Sequence, residues 1–365
     1  SLPAGAGRAT SGEDLAPMPT TPVRARRRVM WWATVGALAV LLGSGLAACS
    51  DGGASGDDAD TSPTSASAGS GTTQAEDSTA APPAPGGTAG CGAEPPVTAA
   101  DDPTGDVELT FDGDAGPRGY RLAVPPGYDA DVPTPVILNL HGSGSNAVQQ
   151  SVYSGLGHRG AERGFLVVTP DAVGGMWELA PEGADDVFLT ALLGQIEADF
   201  CVDLDRVHAA GISLGAWKAS VTACAHPDRF ASIALVAEEV APAGCALSVV
   251  AFHGTADTVV PYGEGADEGV VVTGPNAGLP GVEVNMPAWA DGAGCSAEKD
   301  VERIEPDVER WIYRDCPAGR GVELYSIEGA GHIWPGSPVR LAGANDTVDA
   351  TAIALDWFES HPRVT

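Results

Sequence analysis

The sequence predicts an α/β protein with a mostly parallel central sheet and helices on both of its faces. Short apolar runs of strand length alternate along the chain with segments of helical periodicity. These runs are apolar throughout, which is typical of strands that are buried on both faces of a parallel sheet. Glycine-rich segments with polar side chains follow several of them, at the strand ends where such sheets form their sites.

The strands can be placed in chain order from these runs. Two strands separated by a polar turn are expected first, at 107–111 and 118–124, because both are short and rich in residues that favour strands. Buried strands are then expected over the apolar runs 135–140, 164–170, 206–212, 232–237, 247–252 and 322–327. Helical periodicity between them predicts helices that reach about residue 163, span 186–200, follow residue 213, and cover 286–291 and 346–360.

The amino-terminal part predicts an export signal and a linker rather than a fold. Residues 1–48 contain an arginine cluster, an apolar run and then small residues, which is the order of a secretory signal. Its end, Leu46-Ala47-Ala48-Cys49, resembles a bacterial lipobox and predicts lipidation of Cys49. Residues 49–90 lack aromatic side chains and predict a disordered tether, which leaves 91–365 for one folded domain. We therefore expect an extracellular lipoprotein on the outer face of the cytoplasmic membrane.

The formal charge of −30 at pH 7 limits the partners that the chain can have. Nucleic acids and anionic membrane surfaces bind basic faces, so neither is expected as a partner. Membrane contact is expected only through the amino-terminal lipid. The acidity itself indicates solubility, and a monomer is expected.

Seven cysteines are present, and six remain after Cys49 is set aside. An even number in an exported chain favours three disulfides. Cys295 and Cys316 flank one mostly polar stretch of the chain. Cys201 and Cys224 lie on either side of the strand at 206–212. Six cysteines allow 15 pairings, which the sequence leaves open; the spacing favours Cys295–Cys316 and allows Cys201–Cys224, and Cys91–Cys245 is what remains. No spacing indicates a metal site, and no cofactor is expected.

A serine between two glycines is the strongest candidate for a nucleophile. Ser213 directly follows a buried strand and precedes a helix, with Gly211 and Gly215 two residues away on each side. A sharp strand-to-helix turn needs such small neighbours and holds the serine hydroxyl above the sheet. The helix that follows directs its N-terminal N–H groups at any negative charge formed there.

Two further strand ends supply an acid and a base. Asp257 follows the strand at 247–252, and His332 follows the strand at 322–327. The order serine, aspartate, histidine with a Gly-x-Ser-x-Gly turn is the α/β-hydrolase arrangement. Glu264 and Asp267 are rival acids, whereas His141 and His253 are interpreted as structural or loop-ordering residues.

Stabilisation of an oxyanion requires backbone donors near the serine. The N–H of Leu214 is one candidate, and the loop after the strand at 135–140 offers a second at Ser143. Trp177 and Trp334 lie near these motifs and are candidates to stack on an aromatic acyl group or a sugar.

Four segments together resemble the secreted polyhydroxybutyrate depolymerase/feruloyl esterase family, which includes lipoprotein esterases of the LpqC type. These are Leu-His-Gly-Ser-Gly at 140–144, the turn at 206–215, the stretch at 251–262 with His-Gly-Thr-Ala-Asp, and Gly-Ala-Gly-His-Ile-Trp-Pro-Gly at 329–336. The resemblance covers about residues 105–362 and implies that Asp257 and His332 complete a triad with Ser213. The family usually has cysteine at Ser143 and Ser-Asn-Gly-Gly at the turn, where this chain has Ser-Leu-Gly-Ala.

The expected activity is hydrolysis of carboxylic esters through an acyl-enzyme. Its substrate, small or polymeric, would be a feruloyl or acetyl ester of a polysaccharide or a polyester of the polyhydroxyalkanoate type. A serine peptidase on the same fold is an alternative, although the chain lacks the added lid or propeller domain that often accompanies it. A non-catalytic binding lipoprotein is a third interpretation, and it predicts the loss of a triad member.

Overall fold

The computed structural model describes residues 87–100, 105–113 and 116–364. The predicted signal, Cys49 and all but the last four residues of the predicted tether lie outside these ranges. Those four residues, 87–90, contact the domain, because Thr88 Oγ1 donates to the carbonyl of Phe200 at 2.7 Å and accepts from the N–H of Val202 at 3.0 Å. The ordered domain thus includes residues before Cys91. Within the described ranges, no helix has the length and apolarity needed to cross a bilayer.

One ten-stranded sheet forms the centre of the domain. In chain order its strands are β1 Val107–Gly113, β2 Gly116–Ala123, β3 Thr134–Leu140, β4 Leu166–Pro170, β5 Val202–Ile212, β6 Ser232–Val236, β7 Ser248–Gly254, β8 Lys299–Glu305, β9 Val308–Tyr313 and β10 Val322–Ile327. Their order across the sheet is β1-β2-β4-β3-β5-β6-β7-β10-β9-β8. Six neighbouring strands in the middle of the sheet are parallel to one another: β4, β3, β5, β6, β7 and β10. Antiparallel strands flank them at both edges, β1 and β2 on one side and β9 and β8 on the other.

Helices cover both faces of the sheet. They are α1 Ala147–Ser154, α2 Leu156–Glu162, α3 Ala184–Asp199, α4 Leu214–Ala225, α5 Val282–Ala293 and α6 Ala350–Ser360. Val136, Leu138 and Leu140 of β3 belong to the core shared with α3, α4 and α5, whereas Ile137 belongs to the core shared with α1, α2 and α6. The continuous apolar run of β3 is required because both of its faces are buried. The predicted α/β-hydrolase architecture is confirmed.

The β8–β9 hairpin is absent from the sequence prediction. β8 reads Lys-Asp-Val-Glu-Arg-Ile-Glu and is exposed along nearly its whole length, since it forms the outer edge of the sheet. Charged residues on an edge strand block pairing with other chains, but they also remove the apolar pattern that identifies a strand. The polar stretch between Cys295 and Cys316 therefore forms a hairpin at the edge of the sheet.

The structure corrects two of the three expected disulfide pairs. Cys295–Cys316 is confirmed, but the other bonds join Cys91 to Cys201 and Cys224 to Cys245. Cys201 lies just before β5, where Thr88 contacts Phe200 and Val202, so the nearby Cys91 is its partner, and Cys224 at the end of α4 bonds to Cys245 just before β7. Spacing along the chain did not reveal these positions.

Candidate active site

Ser213 occupies a strained turn between β5 and α4. Its φ of 57° and ψ of −128° lie in a region that residues other than glycine rarely adopt, and its N–H donates to the carbonyl of Val236 at 2.8 Å. A Cβ on Gly211 would lie 2.4 Å from the carbonyl carbon of Gly215, and a Cβ on Gly215 would lie 2.3 Å from the carbonyl oxygen of Leu140. Both glycines are therefore required by the close approach of backbone segments, as the sequence predicted for a nucleophile turn.

Asp257 and His332 form an acid–base pair at the ends of β7 and β10. Nδ1 of His332 lies 2.7 Å from Oδ2 of Asp257, and the N–H groups of Val259 and Val260 donate to Oδ1 at 2.7 and 2.9 Å. Burial opposes ionisation of Asp257, but the histidines His253 and His332 outweigh it and hold the pKa of the carboxyl well below its ordinary value. An ionised carboxylate fixes the proton of His332 on Nδ1 and leaves Nε2 as a base.

The two rival acids do not contact this histidine. Asp267 accepts a hydrogen bond from Thr255 Oγ1 at 2.6 Å, and Glu264 lines a separate cavity of about 320 Å³. Ser213 and His332 instead line one cavity together. Within the described part of the chain, neither Ser213 Oγ nor His332 Nε2 has a hydrogen-bond partner, so both are available to each other and to a substrate.

The cavity that Ser213 and His332 share has a volume of about 790 Å³, within the range of small-molecule sites. Apart from His332, its lining carries no ionisable acid or base other than the Tyr153 phenol, and half-exposed aliphatic side chains surround its mouth. These are Val148, Val152, Val259, Val339 and Leu341. The cavity therefore suits a neutral, largely apolar group. The sequence reasoning missed these aliphatic residues, although the spacing of four between Val148 and Val152 on α1 would have placed them on one helix face.

The loop at 141–144 lies against the nucleophile turn, since a Cβ on Gly142 would be 3.5 Å from Cβ of Ser213. The buried His141 orders this loop: its Nε2 accepts from the N–H of Ala172 at 3.0 Å, and its Nδ1 donates to the carbonyl of Gly142 at 2.8 Å. This arrangement needs a neutral ring, and burial lowers the pKa of His141 accordingly.

The two candidate oxyanion donors, the N–H groups of Ser143 and Leu214, make no hydrogen bond to a protein acceptor among the described residues. Leu214 is the first residue of α4, where a helix leaves its N–H groups without intrahelical partners. An oxyanion hole must keep its N–H groups free, so Ser143 and Leu214 stay the predicted donors.

Trp177 and Trp334 are core residues in the structure, with 4% and 1% of their surface exposed. Trp177 Nε1 donates to the carbonyl of His141 at 2.9 Å, and Trp334 Nε1 donates to Thr351 Oγ1 at 2.9 Å. The expectation that these rings stack on a substrate does not fit this burial. Each indole instead fixes a loop: Trp177 supports the loop at 141–144, and Trp334 supports the segment that carries His332.

Known proteins with related sequences are esterases. The chain is 30% identical over 278 residues to "Putative esterase NocK" of Nocardia uniformis, covering 66% of this chain and 79% of that protein. It is 30% identical over 231 residues to feruloyl esterase B of Piromyces equi, covering 59% of this chain but only 42% of that protein. Feruloyl esterase C of Emericella nidulans is 27% identical over 224 residues, which is 57% of this chain and 80% of that protein. No protein-family model matches the chain.

The solved structure of the acetyl xylan esterase from Aspergillus awamori shares the fold. The TM-score is 0.50 at 16% identity, and the match covers 70% of this chain and 99% of that one.

The fold and the related sequences together define an α/β-hydrolase of the serine esterase class. Within that class, the chain belongs to the family of carboxylic ester hydrolases that contains the feruloyl esterases and NocK.

Proposed function

We propose that the chain hydrolyses carboxylic esters through a Ser213–His332–Asp257 triad. The observation that carries this proposal is the shared cavity, where the strained Ser213 and the Asp257-bound His332 are both exposed to the same space. Ser213 Oγ attacks the ester carbonyl carbon while Nε2 of His332 takes its proton. Collapse of the tetrahedral intermediate breaks the bond to the alcohol, and His332 returns the proton to the leaving oxygen. Water then repeats the sequence on the acyl-enzyme.

The other residues of the site form no covalent bond with the substrate, and they stabilise the charges that develop during the reaction. The N–H groups of Ser143 and Leu214 donate to the oxyanion of each tetrahedral intermediate. Asp257 keeps the tautomer of His332 and stabilises the imidazolium without taking the proton itself.

For the substrate, we propose feruloyl or acetyl esters of polysaccharides, with polyhydroxyalkanoate-type polyesters as a further class. The names of the relatives support the polysaccharide esters. The neutral aliphatic cavity suits an apolar acyl group of any of these substrates, and it offers no carboxylate partner for a charged peptide terminus.

We propose that the enzyme acts outside the cell, as a monomer held to the membrane by a lipid on Cys49. Three disulfides in the described domain support an oxidising compartment. The lipobox-like sequence and the tether composition support the anchor.

A substrate panel tests this function directly. The full chain, purified in detergent, is assayed on p-nitrophenyl acetate, methyl ferulate, acetylxylan, polyhydroxybutyrate and a peptide p-nitroanilide. We expect ester cleavage that falls at least about 10³-fold in Ser213→Ala, with little change in Ser220→Ala, whose buried hydroxyl bonds within α4. Cleavage of the anilide alone would favour a peptidase.

A further inference from the structure

A buried histidine lies directly behind the acid of the proposed triad. His253 is near the end of β7 and is 1% exposed. Its Nδ1 lies 2.8 Å from Oε2 of Glu239, and its Nε2 lies 3.4 Å from Oδ2 of Asp257. Oδ2 of Asp257 therefore has one histidine ring on its inner side and a second, His332, on the side of the cavity.

Glu239 is the acidic partner of this ring. Its side chain is buried, and Oε1 accepts from Nδ2 of Asn285 at 3.2 Å while Oε2 contacts Nδ1 of His253. Trp289 Nε1 fixes the same residue through its backbone carbonyl at 2.8 Å. An ionised carboxylate oxygen is an acceptor only, so an ionised Glu239 in this position requires a proton on Nδ1 of His253.

The second ring nitrogen, Nε2, lies 3.4 Å from Oδ2 of Asp257 and has no hydrogen-bond partner among the described residues. All hydrogen bonds of Asp257 are accepted ones, so this carboxylate has no proton to offer to Nε2 of His253. A neutral ring would direct a lone pair at that carboxylate, whereas an imidazolium is attracted to it. Burial disfavours the charge, but Glu239 and Asp257 outweigh burial and raise the pKa of His253 to about 10.

We propose that His253 is a buried imidazolium that positions Asp257 and disfavours a second positive charge on His332. This role rests on the proposed function, since it concerns His332 as a base. The nitrogens of the two rings that share Oδ2 are at most about 6 Å apart, given their distances to that oxygen. At such a distance a fixed cation disfavours a second one and partly offsets the attraction of Asp257.

The other ionisable groups around His253 are neutral at pH 7. Glu238 is buried beside Glu239, and its pKa is raised to about 8 by burial and by that neighbour. The phenol of Tyr262 meets the ring edge-on at a centroid distance of 5.4 Å, and burial raises its pKa. Neither of these groups therefore adds a charge beside His253 at neutral pH.

The pH dependence of kcat/KM tests the role of this charge. In His253→Gln the like charge is lost, so His332 holds its proton to higher pH and the acidic limb moves up by about one pH unit. At pH values below both limbs, activity relative to that at pH 9 then falls about tenfold compared with the wild type. A purely structural role would lower activity by one factor at every pH, and an unmoved limb would overturn the proposal.

Nuclear magnetic resonance tests the charge without any change at His253. In the ¹⁵N-labelled full chain, with the ring assigned through its backbone, we expect protons on both ring nitrogens of His253 at pH 8. We expect Glu239→Gln to lose the second proton at a lower pH. A single ring proton at pH 8 in an active esterase would overturn this inference alone, whereas absence of esterase activity would overturn the proposed function and this role with it.

Discussion

The indole nitrogen of Trp177 donates to the backbone carbonyl of His141 at 2.9 Å, and the two rings pack with their centroids 5.0 Å apart. This contact joins a buried side chain to the loop that carries Ser143. The same loop is also held by the N–H of Gly144, which donates to the carbonyl of Gly175 at 2.8 Å, so the indole hydrogen bond is one of the contacts that position the proposed oxyanion donor.

Replacing the indole should therefore damage catalysis more than binding. In Trp177→Phe we expect kcat for p-nitrophenyl acetate to fall about tenfold with KM changed less than about twofold, because the loop is loosened and not removed. Trp357→Phe is the matched control, since Nε1 of this buried indole has no hydrogen-bond partner among the described residues. Equal losses of kcat in the two variants would contradict the assigned role.

The contact between Gly215 and Leu140 predicts an intolerant position. Gly215→Ala places a methyl group 2.3 Å from a backbone oxygen, so we expect loss of soluble enzyme or a shifted turn with activity reduced at least about 100-fold. Gly194→Ala in α3 is the control, because a Cβ there meets nothing within 4 Å. That change should raise the thermal midpoint by a few degrees, on the order of the 1 kcal/mol cost of a helical glycine. Tolerance of alanine at 215 would contradict the observed turn.

Glu238 predicts a specific dependence of stability on pH. Its pKa is raised from 4.5 to about 8 in the folded state, so between these values the folded protein keeps a proton that the unfolded chain has lost. The free energy of unfolding contributed by this group must then fall as the pH rises through that window. We expect the drop in thermal midpoint between pH 5 and pH 8 to be smaller in Glu238→Gln than in the wild type. The exposed Glu305→Gln should keep the wild-type drop, and an unchanged drop in Glu238→Gln would contradict a buried neutral carboxyl.

The sequence was sufficient for the parallel sheet and for the residues at its strand ends. Strands such as β3 are buried on both faces, so their apolar runs are unmistakable, and parallel strands bring the residues that follow them to one edge. Ser213, Asp257 and His332 could be brought together on that basis. The hairpin of β8 and β9 could not be predicted, because the exposed edge strand β8 carries charged residues and lacks the apolar pattern that identifies a strand.

Side-chain direction and cysteine pairing could not be predicted from the sequence, because both depend on packing in three dimensions. The motifs place Trp177 and Trp334 near the site, but only packing decides whether an indole points into the core or into the cavity. Six cysteines allow 15 pairings, and the observed bond from Cys224 to Cys245 depends on how α4 ends beside the segment before β7. Glu239 was also missed, although its position after β6 is a strand end adjacent to β7.

Active-site labelling tests the nucleophile most directly. The purified full chain is treated with a fluorophosphonate, digested and analysed by peptide mass spectrometry alongside Ser213→Ala and Ser220→Ala. We expect one covalent adduct on the peptide that contains Ser213, present in the Ser220→Ala control and absent from Ser213→Ala, together with loss of esterase activity. An adduct on another serine, or undiminished ester hydrolysis in Ser213→Ala, would contradict the assignment of Ser213 as the nucleophile.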